Sequence, residues 1–259
     1  MPARFAFYYI NMEGAKRLLD YLNKHGVNEI VYFSDGALIN PVRFPIAALE
    51  TNGAILFADL PGFSKYAAGM EAVDSAYLVN NFFAWFEGEA LRPYGGIVDK
   101  FIGDAVMVVF LPLECKLEPL EAAMQAARAM LERDPYSFRP KIGIAFGPIA
   151  ISLVGTENSA MITTMGHTVN LASRCVSKLE KSGSVRIASN DIDLAKKVFK
   201  EDSSWKLSGP KEFSPKNMPQ ATIIDVERTA MWVPNWNYSQ KIKEGIKFAR
   251  DKGAVKSNF

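Results

Sequence analysis

The chain has 259 residues, 49% of them hydrophobic, with 30 basic and 28 acidic side chains for a formal net charge of +2. That length fits one large domain, or one with small additions, and the apolar content is enough for a full core. The balanced charge gives no electrostatic case for nucleic acid as the main partner, and two cysteines are too few for a secreted disulfide scaffold.

Residues 1–51 are expected to form a short N-terminal extension that packs on the main domain or on a partner. Ala15, Leu18, Leu19 and Leu22 share one side of a predicted helix over Met12–Lys24, which His25-Gly26 stops. Glu29–Phe33 and Leu38-Ile39 read as short strands around a Ser34-Asp35-Gly36 turn. The main domain is expected over residues 52–228. Gly53–Ala58 is an apolar strand ending in Asp59, and the turn Leu60-Pro61-Gly62-Phe63-Ser64 follows. Asp74–Leu91 is a long helix whose aromatic stripe (Tyr77, Phe82, Phe83, Trp85 and Phe86) reads as core. Gly96–Phe101 and Ala105–Phe110 read as the strands of a hairpin with Asp104 at its tip.

Leu117–Glu132 is an amphipathic helix. Lys141–Phe146 reads as a strand with Ile149–Val154 as its hairpin partner. A helix over Thr168–Lys181, a strand at Val185–Ala188, a helix over Asn190–Val198 and a closing strand at Ala221–Val226 complete the domain. This order predicts an α+β sheet with helices on one face. Residues 229–259 form a tail with Trp232, Trp236 and Tyr238, then a basic helix over Ser239–Lys252. Cys115 and Cys175 sit in apolar stretches and read as buried free thiols. The start shows no signal-peptide pattern, and no apolar run approaches the roughly 20 residues that span a bilayer. A cytoplasmic protein without a membrane or nucleic-acid partner is therefore expected.

Three places carry chemistry. Asp59 ends a buried strand, where a carboxylate is costly unless it meets a cation. The turn after it offers the backbone N–H groups of Gly62, Phe63 and Ser64 to an anion. Asp59 is equally suited to cap the following helix. Asp104 follows Gly103 between two apolar flanks, and plain turn chemistry accounts for it when it is taken alone. Two strand-end carboxylates on neighbouring strands can, however, hold Mg²⁺ or Mn²⁺, which take oxygen ligands and share sites with phosphates. In the run from Met165 to Arg174, Asn170 and Arg174 are four apart and share a helix face. Such a pair can position a ribose and stabilise phosphoryl charge, or simply form a solvated face.

Phe57-Ala58-Asp59-Leu60-Pro61-Gly62-Phe63, Asp99-Lys100-Phe101-Ile102-Gly103-Asp104-Ala105-Val106-Met107 and Met165-Gly166-His167-Thr168-Val169-Asn170-Leu171-Ala172-Ser173-Arg174 together resemble the class III nucleotidyl cyclases. The likeness covers about residues 52–228, and three motifs in the right order make it specific. It implies a ferredoxin-like catalytic domain that works as a head-to-tail homodimer and cyclises a nucleoside triphosphate. Asp59 and Asp104 match the two metal-binding aspartates, and Leu60 would add a backbone carbonyl. Two divalent ions, Mn²⁺ or Mg²⁺, are implied as cofactors. Asn170 matches the ribose-orienting asparagine and Arg174 the transition-state arginine, both acting on the partner chain's metal site. Lys100 and Thr163 match the base-contacting positions. Lys206 and Lys211 are candidates for the triphosphate lysine, with Lys211 preferred.

His167 stands where bacterial members usually carry Asp and is expected to be exposed, and Pro61 stiffens the first turn; neither removes a catalytic group. All expected positions hold competent residues, which argues against a catalytically silent nucleotide-binding dimerisation module. A diguanylate cyclase is disfavoured because Gly95-Gly96-Ile97 is not that family's signature. The Lys100/Thr163 pair resembles that of many bacterial adenylate cyclases. The architecture, expected to be free-standing, instead resembles the antiphage cyclases of Pycsar systems, which make cyclic UMP or cyclic CMP. ATP and the pyrimidines therefore stand level as expected substrates. GTP falls behind them, because Lys100 would face guanine donors.

Overall fold

The computed structural model describes residues 12–34, 42–134, 138–199, 204–229 and 238–254. The predicted turn from Asp35, the strand at Leu38-Ile39, and Trp232 and Trp236 lie outside them. In chain order the elements are α1 (Met12–Lys24), β1 (Val31–Phe33), β2 (Phe44–Ile46), β3 (Ala48–Asp59), α2 (Phe63–Ala67), α3 (Ala72–Trp85), β4 (Ile97–Ile102), β5 (Ala105–Phe110) and α4 (Pro119–Glu132). There follow β6 (Lys141–Thr156), β7 (Ser159–Met165), α5 (His167–Ser177), β8 (Ser184–Ala188), α6 (Ile192–Phe199), β9 (Trp205–Phe213), β10 (Ala221–Arg228) and α7 (Tyr238–Asp251).

β3 runs through the middle of the main sheet, and over Gly53–Ala58 both its faces are buried. Ala54, Leu56 and Ala58 point into one apolar cluster; Ile55 and Phe57 point into the other. This period-two alternation is what a pleated strand imposes on consecutive side chains. The sheet order is β4-β5-β3-β6-β8-β10-β9, with β7 folded back on β6. The pairs β4–β5, β5–β3 and β3–β6 are antiparallel, and β6–β8 is parallel. With α3 between β3 and β4, and α4 between β5 and β6, the core is the βαββαβ unit that the resemblance implied. No helix among the described residues is long and apolar enough to cross a membrane.

The helices cover both faces, not one. α3, α4 and α6 close one side over Phe82, Met130 and Phe199. α1 and α5 close the other, with Leu18, Tyr21 and Ala172 in a second cluster. The fully apolar centre of β3 requires this, because a strand buried on both sides needs a layer over each. α1 has the predicted bounds. Gly26 takes a left-handed φ of 84° after it, and the Val27 N–H returns to Leu22 O at 3.0 Å. Arg17 of α1 donates to Gly96 O at 3.0 Å and Gly95 O at 3.1 Å, so the extension is docked on the main domain at the entry to β4.

Three further expectations change. Ile149–Val154 is not a hairpin partner of the preceding strand; β6 runs unbroken from Lys141 to Thr156, and its partner is β7. Gly147-Pro148 looks like a turn, but it pairs across to Gly53 and Asn52 of β3. On the other edge of β6, β8 pairing ends at Ala145 and β7 pairing starts at Ala150, so Pro148 falls in a gap where a missing N–H breaks no ladder. β9 was not predicted, being an edge strand that is largely exposed from Lys206 to Glu212. The helix over Asp74–Leu91 starts at Ala72 and ends in a π-helical turn over Phe86–Leu91.

Candidate functional site

Asp59 is the last residue of β3 and lies opposite Ala105 on one side and Lys141 on the other. Its neighbour across the ladder is therefore the hairpin tip carrying Asp104. Gly103 turns that tip with a φ of 61°, a conformation that glycine accepts readily. Asp59 feels both its burial and the Asp104 charge. Burial raises the Asp59 pKa first, the Asp104 charge raises it further, and Lys141 opposes both. The Leu60 side chain is buried, and its carbonyl, which accepts one hydrogen bond from Phe63 N–H at 3.3 Å, keeps a second lone pair for another partner. Two carboxylates and a carbonyl form an all-oxygen donor set that suits a hard divalent cation. Among the described residues no group of three or more His, Cys, Asp or Glu gathers. A cation here would complete its shell with water or phosphate oxygens, as Mg²⁺ commonly does.

The turn after Asp59 is partly self-satisfied. Phe63 N–H bonds to Leu60 O at 3.3 Å, so the Phe63 donor expected to serve an anion is committed to the turn. Gly62, with φ 76°, accepts from Lys65 N–H at 3.0 Å. Ser64 is exposed in the short helix α2. A hollow of about 580 Å³ opens beside Gly62 and is lined also by Lys65 and Ser182. Lys65 is a cation at this turn that sequence reasoning passed over.

Lys100 and Thr163 come together, and a third residue joins them. The β4–β5 ladder runs Ile97↔Val109 and Val98↔Val108, then shifts to Lys100↔Met107, so Asp99 is the extra residue of a β-bulge. A bulge turns its strand locally and re-aims the side chains around it. Lys100 lies opposite Met107, a member of the same cluster as Ile97 and Ile162, and so belongs to the face that β7 covers. Asp99 is 1% exposed. Its Oδ1 accepts from Thr163 Oγ1 at 2.8 Å, its Oδ2 from Thr164 N–H at 2.7 Å, and Lys100 Nζ lies 3.4 Å from Oδ1.

Asn170 and Arg174 are exposed on α5. Gly166 precedes the helix as its N-cap, and the first turn is tied down by Thr168, whose hydroxyl donates to Pro148 O at 2.7 Å. It lies so close to β6 that a Cβ on Gly143 would overlap Ala172 O and Val176 N. His167 is exposed, as expected.

Lys211 lies apart on the β9 edge. Its Nζ sits 2.7 Å from Asp225 Oδ2, and Arg186 grips the same carboxylate at 2.7 and 2.9 Å. Burial pushes the Asp225 pKa up, but hydrogen bonds from Arg186 and Lys211 and their charges bring it below the usual carboxylate range. These groups line a cavity of about 450 Å³ together with Lys178, Lys181 and Lys206. Cys175 is buried nearby and its thiol is pushed up to about 12 by burial; Cys115 is half-buried and raised to about 11 for the same reason. Neither is a reactive thiolate.

Residues 48–217 match the model of the adenylate and guanylate cyclase catalytic domain. The chain is 37% identical over 128 residues to the Dictyostelium discoideum protein "Adenylate cyclase, terminal-differentiation specific", covering 46% of this chain and 6% of that one. It is 28% identical over 195 residues to an uncharacterized protein of Mycobacterium tuberculosis, covering 74% and 35%. The chain thus spans only a minor part of either relative. The adenylyl cyclase CyaB from P. aeruginosa shares its fold at a TM-score of 0.60 and 24% identity, over 72% of this chain and 98% of that one. The guanylyl cyclase Cya2 does so at 0.58 and 21%, over 71% and 96%.

Proposed function

We propose, from the premise that this chain belongs to the adenylate and guanylate cyclase catalytic-domain family, that it converts a nucleoside triphosphate into a 3′,5′-cyclic nucleotide and pyrophosphate. The observation that carries this reading is the meeting of Asp59 and Asp104 at the ends of adjoining strands. In the proposed reaction the substrate's 3′-hydroxyl gives its proton to water, its oxygen bonds to the α-phosphorus, and the bond from that phosphorus to the pyrophosphate oxygen breaks, the pyrophosphate leaving with that electron pair. Asp59, Asp104 and the Leu60 carbonyl would hold two divalent ions, Mn²⁺ or Mg²⁺, which supply activation of the attacking oxygen and neutralise phosphate charge.

The chain's own groups do the rest. Asn170 orients the ribose, and Arg174 stabilises charge growing on the phosphoryl oxygens. Both project from α5 into open surface, which suits action on the Asp59/Asp104 pair of a second copy in a homodimer with two composite sites. Gly62 and Ser64 at the first turn, and Lys211 at the second cavity, contact the triphosphate. Lys100 and Thr163 meet the base, which is adenine or a pyrimidine in preference to guanine. A pyrimidine product would fit antiphage signalling. Incubation with each of the four triphosphates and Mn²⁺, followed by chromatography, tests the reading; a folded protein that binds triphosphate without forming product would instead be a silent nucleotide-binding dimerisation module.

A further inference from the structure

We propose that Asp99 sets the hydrogen-bond polarity of the base pocket, so that the pocket takes the amino–imine edge shared by adenine and cytosine and rejects the oxo–N–H edge of uracil and guanine. This deepens the cyclase reading and rests on it for the placing of the base between Lys100 and Thr163.

The number of protons at Thr163 sets the polarity. A threonine hydroxyl has one proton to give and lone pairs to receive. Thr163 is 3% exposed, and the acceptors within reach of its proton are Asp99 Oδ1 at 2.8 Å and Thr164 O at 3.4 Å. Either way the proton stays inside the chain, and the carboxylate is the closer and stronger acceptor. Thr164 N–H holds the other carboxylate oxygen at 2.7 Å, so Asp99 is gripped from two sides. What Thr163 can show a ligand is then an acceptor. Lys100 is a donor in every orientation, and with one proton toward Asp99 at 3.4 Å it keeps others for the ligand.

A donor beside an acceptor reads a ring acceptor beside an amino group. Adenine offers N1 and its 6-amino group; cytosine offers N3 and its 4-amino group. Uracil and guanine present the reverse, a ring N–H toward Lys100 and a carbonyl oxygen toward a Thr163 that has no proton left. Both contacts are then mismatched. The bulge makes this arrangement possible, because it brings Asp99 beside Lys100 under β7.

Asp99 acts through Thr163, so it is a positioning residue, and its readout is base preference. The experiment uses the full chain with Mn²⁺ and the four 3′-deoxynucleoside triphosphates, which lack the attacking hydroxyl and bind without turning over. Binding is measured by calorimetry, and product is measured in parallel with the four ordinary triphosphates. The adenine and cytosine forms are expected to bind about tenfold or more tighter than the uracil and guanine forms. Asp99→Asn keeps the shape and can turn an amide donor toward Thr163, freeing the hydroxyl proton; it should collapse or invert that ratio. Thr163→Val should collapse it too, and decides the matter if Asp99→Asn does not fold.

A wild-type protein that binds the uracil or guanine form as tightly as the others overturns the proposal, as does an Asp99→Asn protein that keeps the wild-type ratio. Cyclic UMP or cyclic GMP as the main product would overturn it while leaving the cyclase reading intact. The expected preference without cyclic product from ATP or CTP would uphold the polarity and sink the cyclase reading. Failure of all four to bind would sink both.

Discussion

Asp59 sits across the β3–β5 ladder from Ala105, so Asp104 at the hairpin tip is its neighbour, and burial together with that second charge raises its affinity for a proton. The strain belongs to the metal-free protein. Asp59→Asn removes one of two repelling charges and is expected to raise the melting temperature of the metal-free chain. Added Mn²⁺ should then stabilise the wild type and not the variant. Calorimetry with and without Mn²⁺ checks both; an Asp59→Asn protein that melts lower without metal would show that the carboxylate has a structural role.

Turnover should respond much more strongly. Asp59→Ala or Asp104→Ala is expected to lower it by about 10²–10³ or more, the scale of one lost preorganised electrostatic contact. Circular dichroism should be unchanged. Substantial activity in Asp104→Ala would contradict the two-carboxylate site.

The composite-site proposal makes its own demand. Asp59→Ala and Arg174→Ala proteins should each be nearly inactive. Mixed and allowed to exchange subunits, they should recover activity, because one site per heterodimer keeps both groups. If exchange is demonstrated by a tag and the mixture stays inactive, Arg174 does not act across the dimer.

Asp225 supplies a pH signature. Its pKa lies below the ordinary aspartate value: burial works against this, but the Arg186 and Lys211 hydrogen bonds prevail. A carboxylate depressed in the folded state contributes stability that is present above its unfolded pKa and is lost as pH falls through the folded pKa. Asp225→Asn should therefore destabilise the protein by about 1–3 kcal/mol near neutral pH. The gap to wild type should close below the ordinary aspartate range. Denaturant melts at several pH values measure it, and a gap that does not depend on pH would contradict the account.

The parts of this fold that the sequence made legible are those where local pattern and tertiary role agree. The hairpin tipped by Asp104 appears within one residue of its expected bounds, and the apolar run Gly53–Ala58 is a strand closed by Asp59, although β3 itself begins five residues earlier, at Ala48, and reaches that run through Glu50, Thr51 and Asn52, polar positions that carry no apolar signal. α1 carries its own stop in Gly26. Gly147-Pro148 misled because a turn-like pair lies within a continuous strand, tolerated only where neighbouring pairings leave a gap. β9 was invisible because an exposed edge strand shows no apolar alternation.

Asp99 could not have been found by pattern. Its link to Thr163 spans 64 positions and depends on a bulge that moves side chains off their ordinary alternation. The one signal was a charged residue in an otherwise apolar run, which read as part of the motif around Lys100. The Arg186–Asp225–Lys211 cluster was hidden for the same reason, since three strands must first be registered against one another.

The measurement that bears most directly on the central claim is product analysis of the purified full chain with Mn²⁺ and each of the four nucleoside triphosphates. The account predicts a 3′,5′-cyclic nucleotide and an equal amount of pyrophosphate from ATP or CTP, both abolished in Asp104→Ala. A folded, triphosphate-binding wild-type chain that yields neither product from any of the four would contradict it.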